Sequence, residues 1–185
     1  MALKSTIFKA QVNISDLDRG YYAEHNLTLA RHPSETDERM MIRLLAFILY
    51  AGELLEFGRG LSTEDEPALW QKDYSGTIER WIEVGLPDER ALRKASARAR
   101  EVIVLTYGGR TADIWWDKDG AAMSRLPNLH VLDIPADQAT ALTALAQRSM
   151  QLQCTLQDNQ LWITSGDGQQ TVLIEPLTRC APSRR

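Results

Sequence analysis

Cysteine is scarce in this chain. Cys154 and Cys180 stand far apart, outside any CxxC or Cys/His cluster. That excludes a disulfide scaffold and the usual zinc-ligand spacings, and it fits free thiols in a reducing compartment. Long apolar runs are also lacking. The longest stretch follows Met40 and is broken at Arg43, well short of the ~20 apolar residues of a membrane span. The opening Met1-Ala-Leu-Lys-Ser-Thr-Ile-Phe-Lys alternates and has no apolar signal core, so a cytoplasmic location without membrane association is expected. A surplus of basic residues is missing too. The net charge is −4 and the pI about 5.4, which argues against indiscriminate binding to nucleic-acid backbones but leaves room for a local basic patch. There is no glycine-rich loop ending in Lys-Ser/Thr, and Gly58-Arg-Gly60 is too short to be one. His25, His32 and His130 lack metal spacing. Ser96, Ser124 and the cysteines lack a nucleophile pattern.

What is present is globular. The 185 residues are 44% hydrophobic and 25% charged, enough for one domain with its own core. Residues 2–14 and 25–31 alternate as strands, with Asp16-Leu-Asp-Arg-Gly20 as the turn of a hairpin. Ser34 is the expected cap of a helix running to about residue 52 or 56. Its apolar arc, from Met40 to Leu55, is wide enough to predict cover on more than one side. Short strands are expected at 57–61 and 68–72, with the acidic turn Glu64-Asp65-Glu66-Pro67 between them. Residues 77–84 read as the clearest strand, with Glu79, Trp81 and Glu83 on one face. A helix over 88–100 follows, then a continuous β-forming run at 102–107 that suits a buried parallel strand. A short helix at 111–116, a strand at 129–134 and a helix at 137–146 lead to an antiparallel meander over 151–174. The expected architecture is mixed α/β: one domain over 1–177 with a core at about 34–134. Accessory strands at 2–31 and 148–175 pair as a small antiparallel sheet, and 178–185 form a flexible tail.

Four features offer chemistry. Glu83 ends its strand beside a helix start, where a carboxylate can reach a metal or activate water. Alone it also fits a half-solvated strand. Asp65 and Glu66 enter a strand through a proline-fixed turn and suit a hard cation; alone they also fit an acidic, solvated loop. Glu38 falls inside the apolar arc of the first helix, where a buried carboxylate needs a partner or a shifted pKa. It also fits a residue that favours the helix dipole. The helix at 88–100 carries Arg90, Arg93, Lys94, Arg98 and Arg100. Arg90 and Lys94 share a face and could neutralise a phosphate, or simply be solvated.

Several segments together are distinctive. They are Met1-Ala-Leu-Lys with Ile7, Leu27-Thr-Leu-Ala-Arg-His-Pro-Ser-Glu-Thr36, Glu38-Arg-Met-Met41, Asp65-Glu-Pro67, Trp81-Ile-Glu83 and Gly85-Leu-Pro-Asp-Glu-Arg90. They span nearly the whole chain, which resembles the YaeQ family of small bacterial proteins. That family is similar to a compact variant of the PD-(D/E)XK nuclease fold, with an αβββαβ core. The resemblance implies a Mg²⁺-dependent phosphodiesterase acting on nucleic acid. Asp65 or Glu66 and then Glu83 would hold the metal, and Glu38 would be an additional acid. The lysine expected two residues after the second acid is replaced by Gly85. Either Lys94 or Arg90 supplies that charge from the next helix, or the scaffold binds nucleic acid or a protein partner without cutting.

Overall fold

The computed structural model describes residues 3–59 and 65–182. Two sheets with a helical layer between them organise the chain. Strand β1 (Thr6–Asp16) turns back on β2 (Tyr21–Arg31) in an antiparallel hairpin, registered from Thr6 opposite Arg31 to Asp16 opposite Tyr21. Alternation sends Phe8, Ala10, Val12 and Ile14 inward. Strand β1 starts and ends later than the alternation at 2–14 indicates, and β2 begins four residues before the alternation at 25–31.

The cap of helix α1 (Asp37–Tyr50) lies two residues later than expected. Ser34 is not the N-cap. Thr36 is, and its side chain accepts from the Arg39 N–H. The helix stops at Tyr50 because Ala51, at φ −49° and ψ 138°, leaves helical geometry. Every residue from Met40 to Ile48 is buried, so α1 is covered all round, as its wide apolar arc requires.

Strands β3 (Leu55–Phe57), β4 (Leu69–Lys72) and β5 (Ile78–Val84) then form an antiparallel meander. Of the strand expected at 57–61, the part from Gly60 lies outside the described residues, as does Glu64 of the acidic turn. Helix α2 (Glu89–Arg98) crosses to β6 (Ala99–Thr106), which runs parallel to β5. Helix α3 (Arg110–Met123) crosses to β7 (Leu129–Asp133), parallel to β6. Helix α4 (Ala136–Thr143) leads to the meander β8 (Ser149–Gln157), β9 (Gln160–Ser165) and β10 (Thr171–Ile174), and β11 (Leu177–Cys180) ends the described chain.

One sheet has the order β10-β9-β8-β1-β2 and the other β11-β7-β6-β5-β4-β3. The two ends of the chain do share a sheet, but it has five strands and is not purely antiparallel, since β8 lies parallel to β1. The expected tail after residue 177 is also different. Leu177–Cys180 pairs antiparallel with β7, and Arg179 anchors it by reaching Asp113 and, at 3.3 Å, Asp133.

The core has two parts. The larger joins the inner face of the first sheet, α1, α4 and one face of the second sheet. The smaller packs α2 and α3 on the opposite face of the second sheet around Trp81, Leu92, Val102, Val104 and Trp115. Strand β5 is therefore covered on both faces. A solvated face is not what makes Glu79, Trp81 and Glu83 alternate with apolar residues.

Candidate functional site

The site is built at the carboxyl end of β5. Glu83 is the last acid on that strand, on the same side as Trp81. The indole N–H of Trp81 donates to Glu83 Oε1 at 2.8 Å. Burial pushes the Glu83 carboxyl above the ordinary value. The Trp81 hydrogen bond and the charge of Arg39 act in the opposite direction. Oε2 has no protein partner among the described residues.

After Glu83 the chain turns sharply. Gly85 has φ +108°, a conformation that L side chains rarely adopt. Its N–H still donates to Leu105 O at 2.9 Å, so the turn stays fastened to β6. The backbone at position 85 thus disfavours lysine. The loop continues to Pro87, whose carbonyl accepts from the Trp115 indole at 2.8 Å, and Asp88 caps α2 by accepting from the Ala91 N–H at 2.7 Å. Leu92 and Ala95 turn inward onto the Trp81 cluster. This inward stripe leaves the cations of α2 outside.

Between α2, the end of β5 and the turn before β4 lies a cleft of about 450 Å³. Asp65, Glu83, Asp88, Arg90, Lys94 and Arg98 line it. The guanidinium of Arg98 sits 5.0 Å from the Trp81 ring centre and approaches the Asp65 carbonyl at 3.4 Å. The structure therefore brings Asp65, Glu83 and Lys94 to one cleft. Glu66 does not line it. Arg59 holds that carboxylate, with its N–H 3.0 Å from Oε2 and its side-chain Nε 3.5 Å from Oε1.

Glu38 does not line the cleft either. It is only half-buried, so the buried acid expected on α1 is not Glu38. That acid is Glu35, just before the helix, with a side chain 2% exposed. Arg43 grips it bidentately at 2.7 and 2.8 Å, and Arg39 reaches it at 2.9 Å. A third Arg43 bond, 3.1 Å to Ala30 O, ties α1 to β2. The spacing Glu35, Arg39, Arg43 is a helical i, i+4, i+8 row and was the signal available in the sequence. The charges of Arg39, Glu38 and Glu35 also act on the Tyr107 phenol just beyond β6. Its pKa is raised, chiefly by burial.

Asp65, Glu66 and Glu83 do not form a metal-binding triad. Among the described residues no group of three His, Cys, Asp or Glu side chains converges to hold a metal. Asp65 and Glu83 remain as two hard oxygen donors on one cleft. This fits Mg²⁺, which takes one or two carboxylates and keeps several waters.

No helix among the described residues is long and apolar enough to cross a membrane. A family model described as "YaeQ protein" matches residues 1–174. The "Uncharacterized protein YaeQ" of Escherichia coli (strain K12) is 49% identical over 164 residues, covering 89% of this chain and 91% of that one. The crystal structure of YaeQ protein from Xanthomonas axonopodis pv. citri superposes with a TM-score of 0.91 at 49% identity, covering 96% of this chain and 99% of the other. YaeQ protein from Pseudomonas syringae gives a TM-score of 0.90 at 36% identity, covering 96% and 97%. With this match over nearly its whole length, and two sheets and four helices among the described residues, the chain belongs to the YaeQ family.

Proposed function

We propose that the cleft is a Mg²⁺-dependent phosphodiesterase site of the compact PD-(D/E)XK type, acting on nucleic acid. One observation carries this reading: Lys94 lines the same cleft as Glu83 and Asp65, so α2 offers the cation that Gly85 cannot. The element order from α1 through β3, β4, β5 and α2 to β6 agrees with it.

Asp65 and Glu83 would hold the metal. Bound there, Mg²⁺ would neutralise charge on a phosphoryl oxygen and lower the pKa of a water. Glu83 accepts the Trp81 N–H on one oxygen, which fixes the carboxylate and leaves the other oxygen for the cleft. Lys94 supplies a mobile positive charge to hold the attacking water or a non-bridging phosphate oxygen. Trp81, 4% exposed, forms a dry wall that strengthens these charges.

The test is cleavage of plasmid and single-stranded DNA with Mg²⁺ or Mn²⁺. Wild-type protein should cut, and Glu83→Gln should cut at least about a hundredfold more slowly, the scale lost with one electrostatic contributor. Cutting that survives Glu83→Gln unchanged removes the assignment. A second reading is a scaffold that binds nucleic acid or a protein partner without cutting. The Glu66–Arg59 pair favours it. Calorimetry showing no Mg²⁺ or Mn²⁺ binding, with no cleavage, would select it.

A further inference from the structure

The cations of α2 fall into two sets. Arg93 is paired with Glu89, and Arg100, just past the helix, is paired with Glu79 at 3.1 Å. Arg90, Lys94 and Arg98 have no carboxylate partner among the described residues, and all three line the cleft. They stand at i, i+4 and i+8, which makes a single ridge along the helix. Four residues of helix rise about 6 Å, comparable to the separation of successive phosphates along a nucleic-acid strand.

A solvated basic face does not account for this sorting. The protein is acidic overall, at net −4, and Arg93 on the same helix and Arg100 just past it have found counter-ions. Arg98 is further held over the Trp81 ring, so one end of the ridge is set against the wall that carries Glu83. A single phosphate group cannot reach all three, since Arg90 and Arg98 are about 12 Å apart along the helix. Three in a row fit an extended polyanion.

We infer that the Arg90–Lys94–Arg98 ridge is a track for one sugar-phosphate strand, contacting successive phosphates and leading the strand to Glu83. This rests on the phosphodiester reading of the same cleft, and goes beyond it in naming a strand as the substrate and α2 as its path. Arg90 and Arg98 act by binding the strand, outside the reacting atoms.

The test uses the full chain and fluorescein-labelled oligothymidylate and oligouridylate of about twelve nucleotides. Anisotropy is followed in EDTA, so that nothing is cut, from about 50 to 200 mM salt. Arg90→Gln and Arg98→Gln are both exposed positions. Each should weaken binding by about tenfold, as expected for a charge-assisted contact. Each should also make the log-log salt slope shallower by about 0.7, the single-strand value per cation. Arg93→Gln should change neither. The deoxy and ribo probes distinguish DNA from RNA. Absence of binding to both, or a salt slope indifferent to Arg90 and Arg98, overturns the track even if Glu83-dependent cleavage is found. The stated slopes support it even if no cleavage is found, in which case only the catalytic reading falls.

Discussion

Glu35 and Glu83 lie close to the same end of the second sheet, and they are treated in opposite ways. Glu35 takes three guanidinium bonds from Arg39 and Arg43, all at 2.7–2.9 Å. Glu83 takes one indole bond and shares its cleft with Lys94, which no described carboxylate engages. A fully satisfied buried carboxylate fixes architecture, here by tying α1 to the chain that leads into it. A partly satisfied one beside uncommitted cations keeps its binding capacity for something else. Neighbouring charge alone therefore does not mark a site. What marks it is the share of hydrogen-bonding capacity left over.

Breaking the satisfied cluster should have the largest effect. Glu35→Ala leaves the Arg43 guanidinium, 5% exposed, beside Arg39 with no carboxylate. The expected cost is about 3–5 kcal/mol, read as a lower urea midpoint at unchanged m-value. A loss below about 1 kcal/mol would make the cluster a bystander, as exposed ion pairs are.

Next is Gly85→Lys, which places a lysine where the family resemblance expects one. At φ +108° it should cost about 1–3 kcal/mol in backbone strain, seen as a lower Tm, with no gain in strand cleavage. Unchanged stability with faster cleavage would show that β5, rather than α2, is where the cation belongs.

The smallest effect concerns the protonation of Glu83. Its folded pKa is raised above the ordinary value of 4.5 by burial. Above the unfolded pKa the unfolded chain has released this proton while the folded chain still holds it, so folding stability falls with rising pH until the folded pKa is passed. Glu83→Gln cannot ionise and should lose that decline. Its stability relative to wild type should rise across mildly acidic pH and level off above the folded pKa, measured by urea unfolding at stepped pH. Parallel wild-type and variant curves would place the carboxylate in solvent.

Much of this was readable where the pattern is long. The breadth of the α1 arc, the continuous run from Val102 to Leu105 and the alternation of β8 each have one physical solution. Helix α3 runs to Met123, beyond the short helix expected at 111–116. Gly120 sits in the helix, where an added Cβ would come within 2.7 Å of the Trp116 ring. Strand β11 was missed because four residues carry little pattern, and what holds it is Arg179 meeting Asp113 and Asp133, which are distant in sequence. At the site, Glu83, Asp65 and Lys94 could be named individually from strand ends, turn chemistry and helix spacing. Their shared cleft could not be read, since it depends on how α2 lies across β5. Glu35 lies ahead of the Met40–Leu55 arc, so the arc does not mark it. The sorting of the cations on and just past α2 was equally hidden, because Glu79, the partner of Arg100, stands on a different strand.

Strand β1 lies inside its sheet, yet only the β2 side of it is supplied by neighbouring sequence. The β8 side arrives much later: Arg148 Nε donates to Ile7 O across 141 positions. A chain growing from its amino end can close the β1–β2 hairpin early, but must keep the other flank of β1 open until residues 149–156 have been made. Such long-range closure slows folding, and an open flank lined by Phe8, Val12 and Ile14 invites pairing with the wrong chain. The β8–β10 segment therefore acts as a late clasp, and the first sheet protects itself only once residues 149–156 are in place.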